Sequence, residues 1–226
     1  MSALPAKYKI KTEHLDVFGV TVQVDRVVNL DDLFEELIGK GEDDEDVMDE
    51  RIPYWADLWH SSIALARHIV KSKIIKRNMH VLEIGCGLGL PGIVAGKFSD
   101  HITFTDYIKE PLEFAKHNWN LNNDFEAQFK ILDWRKPDAS VSADLVLASD
   151  VAYEKRSFKH LHKAFKKLIK PGGMILMSEP NRNYAKEFFS TLKNNGFVFS
   201  EFLYPINYNN ITTKVNVYEI KMVART

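Results

Sequence analysis

The residues of this chain best suited to chemistry stand where its apolar runs end. His80-Val81-Leu82-Glu83-Ile84 breaks into Gly85-Cys86-Gly87-Leu88-Gly89-Leu90-Pro91-Gly92 and then re-enters a helical pattern. Glycines at 85, 87 and 89 remove every Cβ from one side of that turn. Backbone amides can then approach a ligand closely, and the following helix can offer its positive N-terminus. Residues 87–92 satisfy G-x-G-x-x-G, but the dinucleotide fingerprint begins at the strand end, where Gly85 already stands, so its register is off by two. Glu83-x-Gly85-x-Gly87-x-Gly89, with an acid closing the strand, describes the loop better. Asp106 follows the run Ile102-Thr103-Phe104-Thr105, and Asp133 follows 127–132. A single acid at a strand end is commonly a turn residue. Three at the ends of successive strands point to a ligand site.

The Glu83 to Gly89 pattern resembles the first motif of the seven-strand, S-adenosylmethionine (AdoMet)-dependent methyltransferases, whose cofactor carries an ammonium and a sulfonium but no pyrophosphate. Asp106 lies 21 residues beyond Gly85, a spacing that sets a neighbouring strand's acid beside the loop, where it can accept both ribose hydroxyls of an adenosine. Asp133 can accept from the adenine amino group while Trp134 covers the ring face. The resemblance extends the cofactor-binding set to Tyr107 and Ser149.

Asp150-Val151-Ala152-Tyr153 matches the Asp-x-x-Tyr motif of a group of protein-lysine methyltransferases. Enzymes acting on adenine or glutamine amides carry Asn/Asp-Pro-Pro-aromatic here, and this chain has no proline at that point. The resemblance implies a catalytic pair, Asp150 to capture and align an ammonium and Tyr153 to wall the acceptor channel. The same group enters the helix before the first strand through an aromatic-Trp segment, which implies that Trp59 walls the cofactor, while Trp55 reads equally as core or as site. Pro53-Tyr54-Trp55-Ala56 and Glu179-Pro180-Asn181-Arg182 are similar to the lysine methyltransferases of the electron-transfer-flavoprotein β-subunit. The resemblance runs from about Pro53 to the C-terminus.

The elements that must position these residues follow from periodicity. Alternating strands and helices from residue 60 onward predict an α/β fold, a Rossmann-like doubly wound seven-strand sheet that is mostly parallel with an antiparallel last strand. The predicted strands are 80–84, 102–107, 127–134, 144–149, 174–178, 197–203 and 214–222. Helices are expected from Ser61 or Ser62, with Ile63, Ala66, Ile69, Val70 and Ile74 on one face, through 111–119, over 158–169, and up to Lys193. Pro171-Gly172-Gly173 is expected to end the third of these. Residues 7–28 alternate on either side of Gly19 and read as a β-hairpin, followed by a helix over 31–38. The expected division is an N-terminal unit of hairpin, helix and acidic loop, 1–50, packed on a methyltransferase domain, 51–226.

With 226 residues, 45% apolar and 27% charged, the chain can bury one sizeable core. The formal charge of −1 gives no global reason to expect nucleic acid. Eleven acidic residues and one lysine lie between 31 and 50, against 20 acidic and 29 basic elsewhere. Residues 42–46 lack apolar periodicity and read as a mobile solvated loop rather than a lure for a basic substrate. Absence of a basic-then-apolar leader or a membrane-length apolar run predicts a cytoplasmic protein, and a monomer is expected. Cys86, the only cysteine, excludes an intrachain disulfide and is expected to be steric rather than redox-active. No metal site is expected. The expected activity is transfer of a methyl group from AdoMet to a protein lysine. The alternatives are methylation of a small amine, or a non-catalytic module whose AdoMet pocket supports partner binding.

Overall fold

The computed structural model describes residues 4–183 and 185–223. The chain opens with a hairpin, β1 (Ile10–Val17) and β2 (Val20–Val27), turned at Phe18 and Gly19, both with positive φ. This is the backbone geometry that matches a two-residue turn to strand twist. Helices α1 (Leu30–Ile38) and α2 (Glu45–Met48) follow, then a single 3₁₀ turn over Tyr54–Ala56 and α3 (His60–Ser72).

The main body alternates β3 (His80–Ile84), α4 (Leu90–Ala95), β4 (His101–Asp106), α5 (Lys109–Asn122), β5 (Gln128–Ile131) and β6 (Ala143–Ser149). It continues through α6 (Phe158–Leu168), β7 (Ile169–Glu179) and α7 (Ala185–Asn194), and ends with the hairpin β8 (Phe197–Tyr208) and β9 (Ile211–Met222). The seven strands of the large sheet lie in the order β5-β4-β3-β6-β7-β9-β8. All neighbours pair in parallel up to β7, and β9 runs antiparallel to both β7 and β8. The sheet is therefore the mostly parallel, doubly wound one expected from the sequence.

Its centre is apolar on both faces, as a parallel sheet covered by helices requires. Along β6, Leu145 and Leu147 join a core with α3, α4, α5 and the hairpin, whereas Val146 and Ala148 join a second core with Phe158, Phe165 and Phe188 of α6 and α7. The hairpin is held by side chains acting as a strand. Asn118 accepts from the Asp25 N–H at 2.9 Å and donates to the Asp25 carbonyl at 3.1 Å, and Asn122 does the same for Gln23 at 2.8 and 2.7 Å. Asn118 also donates to the Leu88 carbonyl at 3.1 Å, linking the hairpin to the glycine loop.

Several boundaries differ from expectation. Strand β5 stops at Ile131 because the chain turns at Asp133, whose side chain accepts from the Arg135 N–H at 2.8 Å. Pro171-Gly172-Gly173 does not separate α6 from the next strand. Ile169 pairs with Ala143 and Met174 with Leu145, so the three residues form a bulge within β7, with Gly172 at φ 77°. The last two strands are longer than expected because Asn209 and Asn210 both adopt positive φ and close a tight hairpin turn. Residues 42–46 are not simply a solvated loop: Asp44 caps α2, and Asp46 is paired with both Lys40 and Arg51.

Candidate functional site

A cavity of about 390 Å³ opens at the carboxyl ends of β3, β4, β6 and β7. The topological switch point of the sheet lies between β3 and β6, the expected place for a ligand in such a fold. Its floor is the glycine loop. Gly85 and Gly87 have φ of 58° and 50°, and a Cβ on Gly87 would lie 3.3 Å from the Trp55 carbonyl oxygen. Side chains would therefore be both strained and crowded there, leaving backbone exposed to the cavity.

Two acids stand under this loop. Glu83 is buried, and its Oε2 accepts from the Gly92 N–H at 2.9 Å. Its Oε1 is buried and has no hydrogen-bond partner among the described residues. Burial holds the Glu83 carboxyl well above the usual carboxylate range. Asp106 is also buried; its Oδ2 accepts from the Gly87 N–H at 3.2 Å and its Oδ1 from the Tyr107 N–H at 2.8 Å. Desolvation outweighs these bonds and raises its pKa to about 6. Cys86 lies between them, and burial together with the two carboxylates pushes its thiol pKa up, so it remains protonated and unreactive.

The opposite wall is aromatic. Trp59 donates its Nε1–H to the Tyr54 carbonyl at 2.7 Å, and the Tyr54 ring meets Trp59 and Tyr153 edge to face at 6.0 and 6.2 Å. Tyr107 and Trp134 line the cavity too, with Trp134 packed where a Gly85 Cβ would be. Trp55 does both tasks left open by the sequence, lining the cavity while its ring packs on Tyr8 and Phe114.

Part of the lining is ionic. Asp150 sits at φ 54°, with its N–H on the Ser178 carbonyl at 3.0 Å, so the ends of β6 and β7 are tied together. Its carboxylate is gripped by both terminal nitrogens of Arg182, Nη2 at 3.2 Å, and accepts from the Ser61 hydroxyl at 3.3 Å.

Trp59, Glu83, Gly85, Gly87, Gly89, Asp106, Tyr107, Trp134, Ser149, Asp150 and Tyr153 thus all line one cavity. Asp133 does not. Its carboxylate is turned to Arg135, with Nε at 2.8 and 3.0 Å, and Arg135 in turn grips Asp49 at 3.0 and 3.3 Å. Sequence reasoning assigned no role to Arg182, Ser61 or Tyr54. Arg182 was within reach of notice, because it lies three residues beyond the acid that ends β7. No group of His, Cys, Asp and Glu able to hold a metal occurs among the described residues, and none of their helices is long and apolar enough to cross a membrane.

Residues 50–195 match the model of a family described as lysine methyltransferase. The chain belongs to that family. Its relatives include the protein N-lysine methyltransferase METTL21A of Xenopus tropicalis, 26% identical over 75% of this chain and 79% of that protein, and its Mus musculus counterpart, 30% identical over 66% and 71%. A histidine protein methyltransferase 1 homolog of Dictyostelium discoideum is 31% identical over 54% of this chain but only 41% of its own length. Among solved structures, a ribosomal protein L11 methylase of Lactobacillus delbrueckii superposes with a TM-score of 0.57 at 18% identity, covering 74% of this chain and 80% of that one. The glycopeptide N-methyltransferase MtfA gives 0.56 at 13%, covering 74% and 93%. These two likenesses establish the class I methyltransferase fold. Membership of a lysine methyltransferase family implies AdoMet as methyl donor, and the glycine cradle with the unpartnered Glu83 Oε1 fits a ligand bearing an ammonium.

Proposed function

We propose that this protein methylates a lysine side chain of another protein, with AdoMet as donor. The observation that carries the reading is the convergence of two buried acids and a side-chain-free loop on one cavity, in a chain of the lysine methyltransferase family. In this reading Glu83 and the glycine loop hold the amino-acid part of the donor, Asp106 accepts the ribose hydroxyls, and Tyr107 and Trp134 enclose the base. When bound, AdoMet supplies a methyl on a sulfonium, which the acceptor nitrogen takes with its lone pair as the carbon–sulfur bond breaks.

The chain's own contribution is alignment. Tyr54, Trp59 and Tyr153 form an aromatic wall that suits the alkyl stem of a lysine, and positioning of this kind is worth roughly 7 to 11 kcal/mol at best. Asp150 faces the reacting region from the end of β6. Asp133 is better assigned to the turn after β5 than to the adenine.

A second reading, a different acceptor nitrogen, draws on the relatives' names, which include a histidine protein methyltransferase 1 homolog and a histone-arginine methyltransferase of Rattus norvegicus, 29% identical over 52% of this chain and 58% of its own. Incubation with radiolabelled AdoMet and cell lysate, followed by acid hydrolysis of the labelled band, separates these outcomes. Label in methyl-lysine is expected. Label in methylhistidine or methylarginine would change the acceptor, label in the small-molecule fraction would make the substrate a free amine, and no label anywhere would favour a binding module.

A further inference from the structure

The resemblance casts Asp150 as the group that captures and aligns an ammonium, and its carboxylate already has a cationic partner. Arg182 grips it through both terminal nitrogens, inside the same cavity. Arg182 is itself fixed from behind. Its backbone N–H donates to the buried Glu179 Oε1 at 2.6 Å, at the end of β7. The preceding Asn181, at φ 60°, donates to the Lys214 carbonyl at 3.0 Å and accepts from Asn216 at 2.6 Å. With Ser149 and Ser178 in register, the ends of β6 and β7 carry the aspartate and the arginine as one unit. The pair is only partly exposed, 12% for the aspartate side chain and 26% for the arginine.

The charge balance matters because methyl transfer needs a neutral amine, whereas a free lysine with pKa about 10.4 is almost wholly protonated at neutral pH. An unpaired carboxylate beside the amine would hold the proton on. Among the described residues, Glu179 interacts with both members of the pair, and Glu83, Asp57 and Asp106 line the same cavity; Asp57 is in turn matched by Arg26 at 3.4 Å. Arg182 is thus the cation that offsets Asp150.

We propose that Arg182 is a positioning residue, which holds Asp150 in place and offsets its charge so that the acceptor end of the cavity receives a neutral amine in preference to an ammonium. Asp150 then keeps a lone pair with which to accept one N–H of that amine and orient it. This inference rests on the methyltransferase reading above.

Two ligands of known chemistry test it without an acceptor protein. S-adenosylhomocysteine (AdoHcy) carries no group at the methyl position, whereas sinefungin carries an amine-bearing carbon there in place of the methylated sulfur. Calorimetry at pH 7 gives their affinity ratio. Arg182→Gln should shift that ratio toward sinefungin by about tenfold or more, as expected for an exposed carboxylate a few ångströms from an ammonium. Asp150→Asn should shift it about as far the other way, because a lone guanidinium then faces the amine. The double variant and Arg182→Lys should stay near wild type. A merely structural role would weaken both ligands alike, so a ratio unmoved in both single variants overturns the inference while leaving the methyltransferase reading intact. Should Arg182→Gln alone fail to fold, the double variant decides: a ratio near wild type is expected, and one moved toward AdoHcy as far as in Asp150→Asn overturns the inference. Failure of the wild type to bind AdoHcy at all would overturn both.

Discussion

The two ends of the cavity are built differently. At the proposed cofactor end, the cavity presents backbone and two acids that belong to continuous motifs, each at or next to the end of its strand. At the proposed acceptor end, the lining comes from side chains far apart in sequence, Asp150 and Tyr153 after β6 and Arg182 after β7, with Ser61 of α3 bonded to Asp150. The first kind of site is fixed by the sheet itself. The second can be altered residue by residue with the sheet intact.

The sharpest way to break this division is at Asp106. Removing its carboxylate leaves two ligand hydroxyls without acceptors, so Asp106→Ala should cost AdoHcy about 2 to 4 kcal/mol of binding. Asp150→Asn should leave AdoHcy binding nearly unchanged in the same calorimetric measurement. Equal losses from the two would show that the ends are not independent.

Gly92→Ala tests whether the cofactor end is fixed by close contact. A Cβ there would lie 2.3 Å from the Phe104 ring and 2.6 Å from Glu83 Oε2. The added methyl should destabilise the protein by about 1 to 3 kcal/mol, read as a lower melting temperature, and weaken AdoHcy by displacing Glu83.

Acid should act on the cofactor end selectively. Burial raises Asp106 from its usual 3.8 to about 6. Because the folded-state value is raised, the protonated group contributes stability that is full below 3.8 and is lost as pH rises through about 6. A ligand that donates hydroxyls to the carboxylate favours the ionised form and reverses the preference. AdoHcy should therefore bind with proton release near pH 6 and weaken up to about tenfold for each pH unit below that. Calorimetry in buffers of different ionisation enthalpy reads both quantities.

The smallest effect belongs to the acidic segment. Asp49 bridges to Arg135, and Glu50 to Arg156 at 3.0 Å, so residues just before the cavity wall are tied to loops on either side of it. These pairs are partly exposed, and such pairs contribute about 0 to 1 kcal/mol. Asp49→Asn should loosen AdoHcy by less than about fivefold, and the difference should vanish at high salt.

What the sequence made legible follows the same division. Glu83, the glycines and Asp106 could be read because periodicity fixes where a strand ends and the motif supplies the chemistry at that point. The doubly wound, mostly parallel sheet was readable from the alternation of strands and helices, whereas the order of its strands was not. Asp133 misled because a strand-end acid can equally turn back on the chain, and a guanidinium two residues on gave it a local partner. Arg182 stood in a segment noted only for its resemblance. Its meaning depends on the pairing of β6 with β7, which no local pattern encodes. The short helix α2 was missed because its order comes from ion pairs with Lys40 and Arg51, not from an apolar stripe.

The asparagine clamp on the N-terminal hairpin bears on how the protein is made. A two-stranded hairpin alone is marginal in water. The hairpin is synthesised early, yet Asn118 lies 93 residues beyond the Asp25 backbone it completes. At ribosomal rates of about 5 to 20 residues per second, β1 and β2 wait roughly 5 to 20 s for the helix that supplies their missing edge. During that interval Val22 and Val24, fully covered in the finished protein, are available to whatever holds nascent chains apart.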